Sequence, residues 1–464
     1  TTVCVSDKLG VNIWDEKNDV PDAPRPYGLA GWLDNDKAAL IYDAYDIWQV
    51  DPTGKVAPIN VTNGIGRTEK TTFRYVKSNP EAQFIGEKEN LLLRAFNETT
   101  KENGFYTKSL AKAKENPVKR VLNGYSYSFP VKAKNSDVLL FTKSNFNTTP
   151  DIYATADLWK SSTQLSHINP QMKDYLWGTV ELMKYRTFDG IDAEALLYKP
   201  ENFDPNSKYP VMIYFYEKHT EGLYRHSAPA PSRSIINIPF FTSRGYLVLV
   251  PDIYYTDGHP GESSYNSVVA AAEELIKNPW ADKDNMAIQG QSWGGYQVAY
   301  LITRTNMFKA AGAGAPVSNM TSAYGGVRWG TGMIRQFQYE HTQSRIGKTL
   351  WDGFDLYVEN SPVFHADKVE TPLLIMHNDN DGAVPWYQGI EYFTALRRLG
   401  KKVWMLQYNK EEHNLLERRN TKDLSIRLQQ FFDHYLKGEK MPKWMKYGVP
   451  ATEKGIDWGY ELVD

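Results

Sequence analysis

A serine with the surroundings of a nucleophile lies in the segment Gly290-Gln291-Ser292-Trp293-Gly294-Gly295-Tyr296, which matches the pattern G-x-S-x-G. A strand-like apolar run precedes this pattern at residues 285–288, and a helix-like apolar run follows it. Between a strand and a helix, the pattern forms a nucleophile elbow, a sharp turn that exposes the serine hydroxyl above a sheet. Gly290 and Gly294 are needed there because side chains at these positions would clash with neighbouring elements. The sequence therefore predicts Ser292 as a nucleophile.

A serine hydroxyl attacks efficiently only when a base takes its proton and an acid orients that base. In chains with a nucleophile elbow, the order is serine, then acid, then histidine. His413 follows Ser292 and lies in a polar loop directly after a predicted strand at 403–406. Catalytic side chains gather at such carboxyl ends of parallel strands. His413 is therefore favoured as the base over His377, which ends a strand, and over His434, which lies in an amphipathic helix.

The predicted acid follows the strand at residues 372–376. The segment HNDNDGAVP at 377–385 leaves the carboxyl end of this strand and contains two aspartates, Asp379 and Asp381. Their position in the pattern does not distinguish them, so both are candidates for the acid.

A sheet must bring these three loops together. From about residue 180, apolar runs of strand length alternate with helical patterns, as in a parallel sheet that is covered on both faces. The predicted strands are 211–216, 246–250, 285–288, 372–376 and 403–406, and the predicted helices are 267–277, 389–399 and 424–436. This alternation predicts an α/β fold with the architecture of an α/β-hydrolase.

The N-terminal part of the chain has a different pattern. Pairs of short apolar runs separated by turn residues recur at 38–50, 91–106 and 138–153. The spacing of roughly 50 residues is typical of β-propeller blades, and an irregular β-sandwich is the alternative. Three blades cannot close a ring of about 4–8 blades, so a propeller would also require additional sequence before residue 1.

Composition excludes several classes of function. The net charge of −2 over 464 residues gives no electrostatic reason to expect a nucleic-acid partner. The single cysteine, Cys4, permits no internal disulfide, and it is compatible with a periplasmic or secreted protein as well as a cytoplasmic one. No apolar run reaches the length of a membrane span, and no metal-binding or phosphate-binding motif is present. We therefore expect no cofactor and no metal.

The motifs together resemble those of the prolyl oligopeptidase family of serine peptidases, family S9, especially its dipeptidyl-peptidase and acylaminoacyl-peptidase branches. They are the G-x-S-W-G-G-Y segment at 290–296, the acidic loop that ends in Val384, and the E-x-H segment at 411–413. The resemblance implies an α/β-hydrolase catalytic domain at 176–464, preceded by the last blades of a β-propeller at 1–175. It also selects Asp381, three residues before Val384, as the acid.

The resemblance further implies an oxyanion hole and a substrate pocket. The oxyanion hole would combine the Trp293 N–H with the hydroxyl of Tyr216, at the end of the strand at 211–216, although Glu217-Lys218-His219 replace the usual small turn. The residues that correspond to the S1 wall are Val317, Met320, Ala323, Tyr324 and Val384. This wall has few aromatic side chains, and Ala383 replaces an amide-bearing residue, so a preference for proline is not expected.

These inferences predict a serine peptidase that cleaves short peptides through an acyl-enzyme, with a propeller that restricts access. A carboxylesterase is the first alternative, because the same triad accepts esters. A catalytically weak propeller–hydrolase scaffold is the second. The resemblance makes a homodimer an expectation, and it implies that activity depends on an N-terminal propeller portion.

Overall fold

The computed structural model of the protein describes residues 4–464, apart from the side chain of Phe129. The chain forms two compact units. The first comprises the chain up to Asn18, Ala23–Asp174 and Glu221–His226. The second comprises Asp19–Asp22, Tyr175–Thr220 and Ser227–Asp464.

The first unit contains three four-stranded antiparallel sheets, in which consecutive strands pair. The strands are β1 (Leu29–Trp32), β2 (Ala39–Tyr42), β3 (Ile47–Val50), β4 (Ile59–Asn60), β5 (Thr71–Val76), β6 (Asn90–Asn97), β7 (Asn103–Ser109), β8 (Val118–Asn123), β9 (Ser126–Lys132), β10 (Leu139–Asn145), β11 (Thr148–Thr155) and β12 (Thr163–Gln164). A short helix, α1 (Ile65–Glu69), lies between β4 and β5. The predicted apolar pairs therefore form the inner strands of separate sheets.

Strand β6 explains how these sheets stack. Its side chains alternate between two faces, and both faces are apolar. Leu91 and Leu93 pack in one core cluster with Leu40 of the first sheet. Leu92 faces the opposite way and packs with Phe141 of the third sheet. The middle sheet is therefore covered on both faces, and apolar side chains fill both layers.

The second unit is built on one eight-stranded mixed sheet with the order β13-β14-β16-β15-β17-β18-β21-β22. Its strands are β13 (Thr179–Arg186), β14 (Asp192–Lys199), β15 (Tyr209–Tyr214), β16 (Leu247–Pro251), β17 (Ala281–Gln291), β18 (Ala310–Gly314), β21 (Leu373–Met376) and β22 (Val403–Leu406). Two short pairs lie apart from it, β19 (Val327–Arg328) with β20 (Met333–Ile334) and β23 (Met441–Pro442) with β24 (Leu462–Val463). In this sheet order, the six strands from β16 to β22 are parallel. Strands β13 and β14 add an antiparallel edge that the sequence did not predict.

Helices cover both faces of this sheet. They are α2 (Ile238–Ser243), α3 (Pro260–Leu275), α4 (Trp293–Leu301), α5 (Met320–Tyr324), α6 (Gln336–Glu340), α7 (Phe354–Glu359), α8 (Tyr387–Arg398), α9 (Arg418–Lys437) and α10 (Lys443–Lys446). Leu247 and Leu249 face the core cluster that contains α3 and α4. On the other face, Phe432 of α9 lies over Gly312 of β18. Strands β16, β18 and β21 are thus buried along their whole length, which accounts for their near-continuous apolar sequences.

Several predicted boundaries were wrong, among them the start of α9, which lies at Arg418 rather than at 424. The strand that was expected to continue to residue 216 ends at Tyr214, so Tyr216 lies in a bend beyond β15. Helix α3 begins at Pro260 rather than at 267, because proline is tolerated in the first turn of a helix. Within residues 4–464, none of the helices combines the length and the apolar character that crossing a bilayer requires.

Candidate active site

Ser292 lies at the junction between β17 and α4 with a strained backbone, at φ 60° and ψ −114°. Only a tight turn holds a non-glycine residue in such a conformation. A Cβ atom on Gly290 would lie 2.5 Å from the Gly294 backbone, and one on Gly294 would lie 2.6 Å from the Phe215 carbonyl oxygen. Both glycines are therefore sterically required. The turn leaves Ser292 half-buried at the carboxyl edge of the sheet.

Asp381 follows β21 in a loop that fixes its carboxylate. Its Oδ1 atom accepts hydrogen bonds from the backbone N–H groups of Ala383 and Val384, both at 2.8 Å. Its Oδ2 atom lies 2.7 Å from His413 Nδ1. Burial alone would raise the pKa of Asp381, but hydrogen bonds from His377 and His413 outweigh it and hold the pKa well below its ordinary value. Asp381 is therefore ionised next to His413.

Asp379, the other candidate acid, faces elsewhere. Its carboxylate accepts hydrogen bonds from the side chains of Gln407 and Asn409 and from the Lys410 N–H. These contacts fix the loop after β22. The tertiary structure therefore brings Asp381, and not Asp379, within hydrogen-bond distance of His413.

The loop that carries His413 is attached to the elbow. The Gln291 side chain, next to Ser292 in sequence, donates a hydrogen bond to the His413 carbonyl oxygen at 2.9 Å. The Asn378 side chain donates to the Glu412 carbonyl oxygen at 2.7 Å. Glu411 is buried and accepts hydrogen bonds from the backbone N–H groups of Leu416 and Glu417, directly before α9. These contacts bring the His413 loop to the same edge of the sheet as Ser292.

His377 lies against Asp381, a contact that the sequence did not predict. It is fully buried at the end of β21, and its Nε2 atom lies 3.2 Å from the Val384 carbonyl oxygen and 3.4 Å from Asp381 Oδ2. Asp381 therefore lies between two imidazoles. No sequence signal separates this histidine from an ordinary core histidine, because only the fold of the acidic loop brings Asp381 back onto it.

Tyr216 lies close to the elbow through its backbone. Its carbonyl oxygen accepts hydrogen bonds from Gln297 of α4 at 2.9 Å and from the Tyr255 hydroxyl at 3.3 Å. Its side chain packs near Gly294. The Trp293 N–H occupies the first position of α4, where a helix supplies no partner for it. The structure therefore brings the hydroxyl-bearing residue and the backbone donor to the same turn.

The five candidate S1 residues are all at least 95% buried and belong to the apolar cluster that also contains Trp293. They are Val317, Met320, Ala323, Tyr324 and Val384. Tyr324 is further fixed by a hydrogen bond from its hydroxyl to Glu340. These residues form a continuous apolar wall behind the elbow rather than an open surface.

Two arginines after this wall were not predicted as part of the site. The Arg335 side chain is fully buried and donates to the carbonyl oxygen of Ala383, two residues after Asp381. The Gly330 N–H donates to the Gly382 carbonyl oxygen at 2.9 Å. Burial and the neighbouring Arg335 lower the pKa of Arg328, while Asp381 acts in the opposite direction. The segment 327–335 is thus bonded to the acidic loop, and its positive charges lie close to Asp381.

Among residues 4–464, the group His259, Glu262 and Glu359 brings potential metal-ligating atoms within 4.8 Å of one another. His259 Nδ1 and Glu359 Oε1 are 3.0 Å apart, so a hydrogen bond between the two side chains explains their approach. Exposed acidic groups are common without an ion, and we assign this group no part in the chemistry.

Comparison with known proteins identifies the domain that carries this geometry. Residues 231–439 match the model of the prolyl oligopeptidase family. This domain belongs to that family. The matched residues include Ser292, Asp381 and His413, whereas Tyr216 lies before them. The predicted resemblance to the prolyl oligopeptidase family is therefore confirmed, and with it a domain of the serine-peptidase type.

Individual relatives of the prolyl oligopeptidase family domain agree with this result. The uncharacterized peptidase YuxL of Bacillus subtilis (strain 168) is 27% identical over 292 residues, which are 60% of this chain and 43% of the relative. The acylamino-acid-releasing enzyme of Sus scrofa is 24% identical over 246 residues, which are 50% of this chain and 32% of the enzyme. The chain thus spans less than half the length of these two curated relatives.

A solved structure extends the likeness to the fold. The acylaminoacyl peptidase of Pyrococcus horikoshii matches with a TM-score of 0.65 at 16% identity, over 92% of this chain and 66% of that chain. The prediction of an α/β-hydrolase domain is thereby confirmed, and its sheet is mixed rather than wholly parallel.

Proposed function

We propose that the protein is a serine peptidase that hydrolyses peptide bonds of short peptides, with Ser292 as nucleophile, His413 as base and Asp381 as the orienting acid. The observation that carries this proposal is the 2.7 Å contact between Asp381 and His413, on a loop bonded to Gln291 beside the elbow. The names of relatives, which include acylamino-acid-releasing enzymes and a dipeptidyl-peptidase, support peptide substrates.

The proposed chemistry is acyl transfer in two steps. The Ser292 oxygen attacks the peptide carbonyl carbon while His413 Nε2 takes the hydroxyl proton, and the resulting imidazolium gives this proton to the departing amine as the C–N bond breaks. Water then attacks the acyl-enzyme, again with His413 as base, and releases the peptide acid and the free serine. Asp381 holds the Nδ1 proton of His413, so that Nε2 presents its lone pair to the serine.

The tetrahedral intermediates carry a negative charge on the former carbonyl oxygen. We propose that the Trp293 N–H and the Tyr216 hydroxyl donate hydrogen bonds to this oxygen. One well-placed donor of this kind contributes about 3–4 kcal/mol to transition-state stabilisation. The strained turn at Ser292 supports this arrangement, because it fixes the N–H of Trp293 before substrate binds.

The apolar wall formed by Val317, Met320, Ala323, Tyr324 and Val384 is proposed to contact the P1 side chain. Its residues lie directly behind the elbow in the same cluster as Trp293. Their limited aromatic character favours aliphatic P1 residues over proline.

We further propose that the three stacked sheets of the first unit are the last blades of a β-propeller, with a domain boundary near residue 175. The support is the burial of both faces of β6, which is the packing expected of a blade between two neighbours. The proposed catalytic domain then comprises residues 176–464.

Active-site labelling and a substrate panel test the proposed function. A fluorophosphonate probe should label the wild-type chain and the exposed-serine control Ser322→Ala, and should not label Ser292→Ala. Peptide amides with varied P1 residues should be cleaved by the wild type and lose turnover with Ser292→Ala or His413→Ala.

Three results would contradict the proposal. Cleavage of esters without cleavage of any peptide amide would favour a carboxylesterase of the same fold. Equal labelling of the wild type and Ser292→Ala would show that Ser292 is not the nucleophile, and absence of labelling in both would favour a catalytically weak scaffold.

A further inference from the structure

A chain of hydrogen bonds connects the guanidinium group of Arg328 to the hydroxyl of Tyr216. Gln343 Nε2 lies 2.9 Å from the Tyr216 hydroxyl oxygen. Gln338 Nε2 lies 3.1 Å from Gln343 Oε1, and Arg328 Nη1 lies 3.3 Å from Gln338 Oε1. All four residues belong to the second unit, although Tyr216 is more than 100 positions from the others in sequence.

The chemistry of arginine fixes the direction of every bond in this chain. A guanidinium group carries only donors, so Gln338 must present its amide oxygen to Arg328. Its NH₂ group then faces Gln343 and can only donate, so Gln343 must present its own oxygen to Gln338. The NH₂ group of Gln343 is consequently directed at Tyr216 and donates to the hydroxyl oxygen.

The second hydrogen of the Gln343 amide is also used. Gln343 Nε2 lies 3.1 Å from Glu217 Oε1, so its two hydrogens serve two acceptors on adjacent residues. Glu217 in turn lies 3.6 Å from the buried Arg345 guanidinium. The Gln343 side chain is thus held at both ends, with its oxygen toward Gln338 and its nitrogen toward Tyr216 and Glu217.

This direction has a consequence for catalysis. Because the Tyr216 oxygen accepts a hydrogen bond from Gln343, the hydrogen of the hydroxyl is left to donate elsewhere. A donated bond and a nearby positive charge also make a hydroxyl a stronger donor, since hydrogen bonds in a chain polarise one another. Arg328 supplies that charge, because its side chain interacts electrostatically with that of Tyr216.

We infer that Gln343 is a positioning residue, which, with Gln338 and Arg328 behind it, turns the Tyr216 hydroxyl hydrogen toward the oxyanion and strengthens its hydrogen bond in the transition state. This inference rests on the proposed function, because it requires Tyr216 to serve as an oxyanion donor. Gln343 itself does not touch the reacting atoms.

A double-mutant cycle tests the inference, with kcat and KM measured for a peptide amide that the full chain cleaves. Gln343→Leu removes the donor while keeping the side-chain volume, and Gln343→Glu replaces the donor with an acceptor that captures the Tyr216 hydrogen. Gln338→Leu breaks the chain one step further away. Gln336→Leu is the matched control, because Gln336 lies on α6, the same helix as Gln338, and makes no described contact with Tyr216.

Gln343→Leu should lower kcat by about tenfold with KM unchanged, the size expected for one net hydrogen bond. Gln343→Glu should lower kcat as much as Tyr216→Phe does, which is about 10²-fold or more for an oxyanion donor. Gln338→Leu should cause a smaller loss than Gln343→Leu, and Gln336→Leu none. In the Tyr216→Phe background, none of the three chain variants should lower kcat further.

The opposite results would overturn the inference. One such result is an unchanged kcat in Gln343→Leu. The other is that Gln343→Leu lowers kcat by the same factor in the wild-type and Tyr216→Phe backgrounds. A loss of kcat that parallels a lower melting temperature in every variant, Gln336→Leu included, would indicate a structural role only.

Failure of the underlying proposals would look different. Full activity in Tyr216→Phe together with an inactive Ser292→Ala would remove Tyr216 from the oxyanion hole and leave the triad intact. Full activity in Ser292→Ala would contradict the proposed function itself.

Discussion

Replacement of Asp381 by asparagine should inactivate the protein through the orientation of one amide. In the wild type, Oδ1 accepts two backbone N–H groups, from Ala383 and Val384, and Oδ2 faces His413 Nδ1. An asparagine must keep its oxygen at the two N–H donors, so its NH₂ group faces His413. Nδ1 would then have to accept a hydrogen bond, and the imidazole proton would move to Nε2, which could no longer accept the proton of Ser292.

The size of the loss of activity follows from the changed tautomer of His413. An arrangement of this kind lowers kcat by about 10⁴-fold in a serine triad. At about 1.4 kcal/mol per tenfold, this corresponds to roughly 5–6 kcal/mol of transition-state stabilisation. Since substrate binding does not depend on the tautomer, KM should change little. The side-chain volume is preserved, so the fold should be retained.

The assay is steady-state cleavage of a peptide amide, with Asp379→Asn as the matched control. Asp379 accepts hydrogen bonds from the loop after β22 and does not contact His413. Its asparagine variant should therefore lower stability by about 1–3 kcal/mol while keeping kcat within about tenfold of the wild type. A strong loss of kcat with Asp379→Asn and a weak one with Asp381→Asn would refute the reasoning.

Three other predictions concern stability and positioning. Gly290→Ala should lower the melting temperature and abolish labelling of Ser292, because its Cβ would lie 2.5 Å from the Gly294 backbone; unchanged labelling would show that the turn can relax. The pKa of Asp381 is lower in the folded protein, so its contribution to stability is present above about pH 4 and is lost as the pH falls further. Denaturant titrations from pH 6 to 3 should therefore show a smaller loss of unfolding free energy for Asp381→Asn than for the wild type, and equal losses would contradict this assignment. His377→Leu should lower kcat by a larger factor than it changes KM, since it removes one of two imidazoles at the Asp381 carboxylate. An unchanged kcat would show that His377 is purely structural.

Features that depend on neighbours along the chain were predictable from the sequence alone. The elbow at Ser292 is a contiguous pattern, in which the glycines and the flanking strand and helix lie within a few residues of the serine. The apolar runs of β16 and β21 are also recognisable, because burial on both faces leaves no polar position in a strand. The three motifs together were sufficient to identify the prolyl oligopeptidase family.

Contacts between side chains that lie far apart along the chain required the three-dimensional structure. The residue pattern left Asp379 and Asp381 equivalent, the family resemblance selected Asp381, and the structure brings Asp381 within hydrogen-bond distance of His413. His377 and Gln343 could not be assigned from the sequence, because each meets its partner through a fold that joins loops from different strands. Hydrogen bonds between side chains require positions that are accurate to a fraction of an ångström, and such positions are set by the packing of the whole domain rather than by local residue pattern.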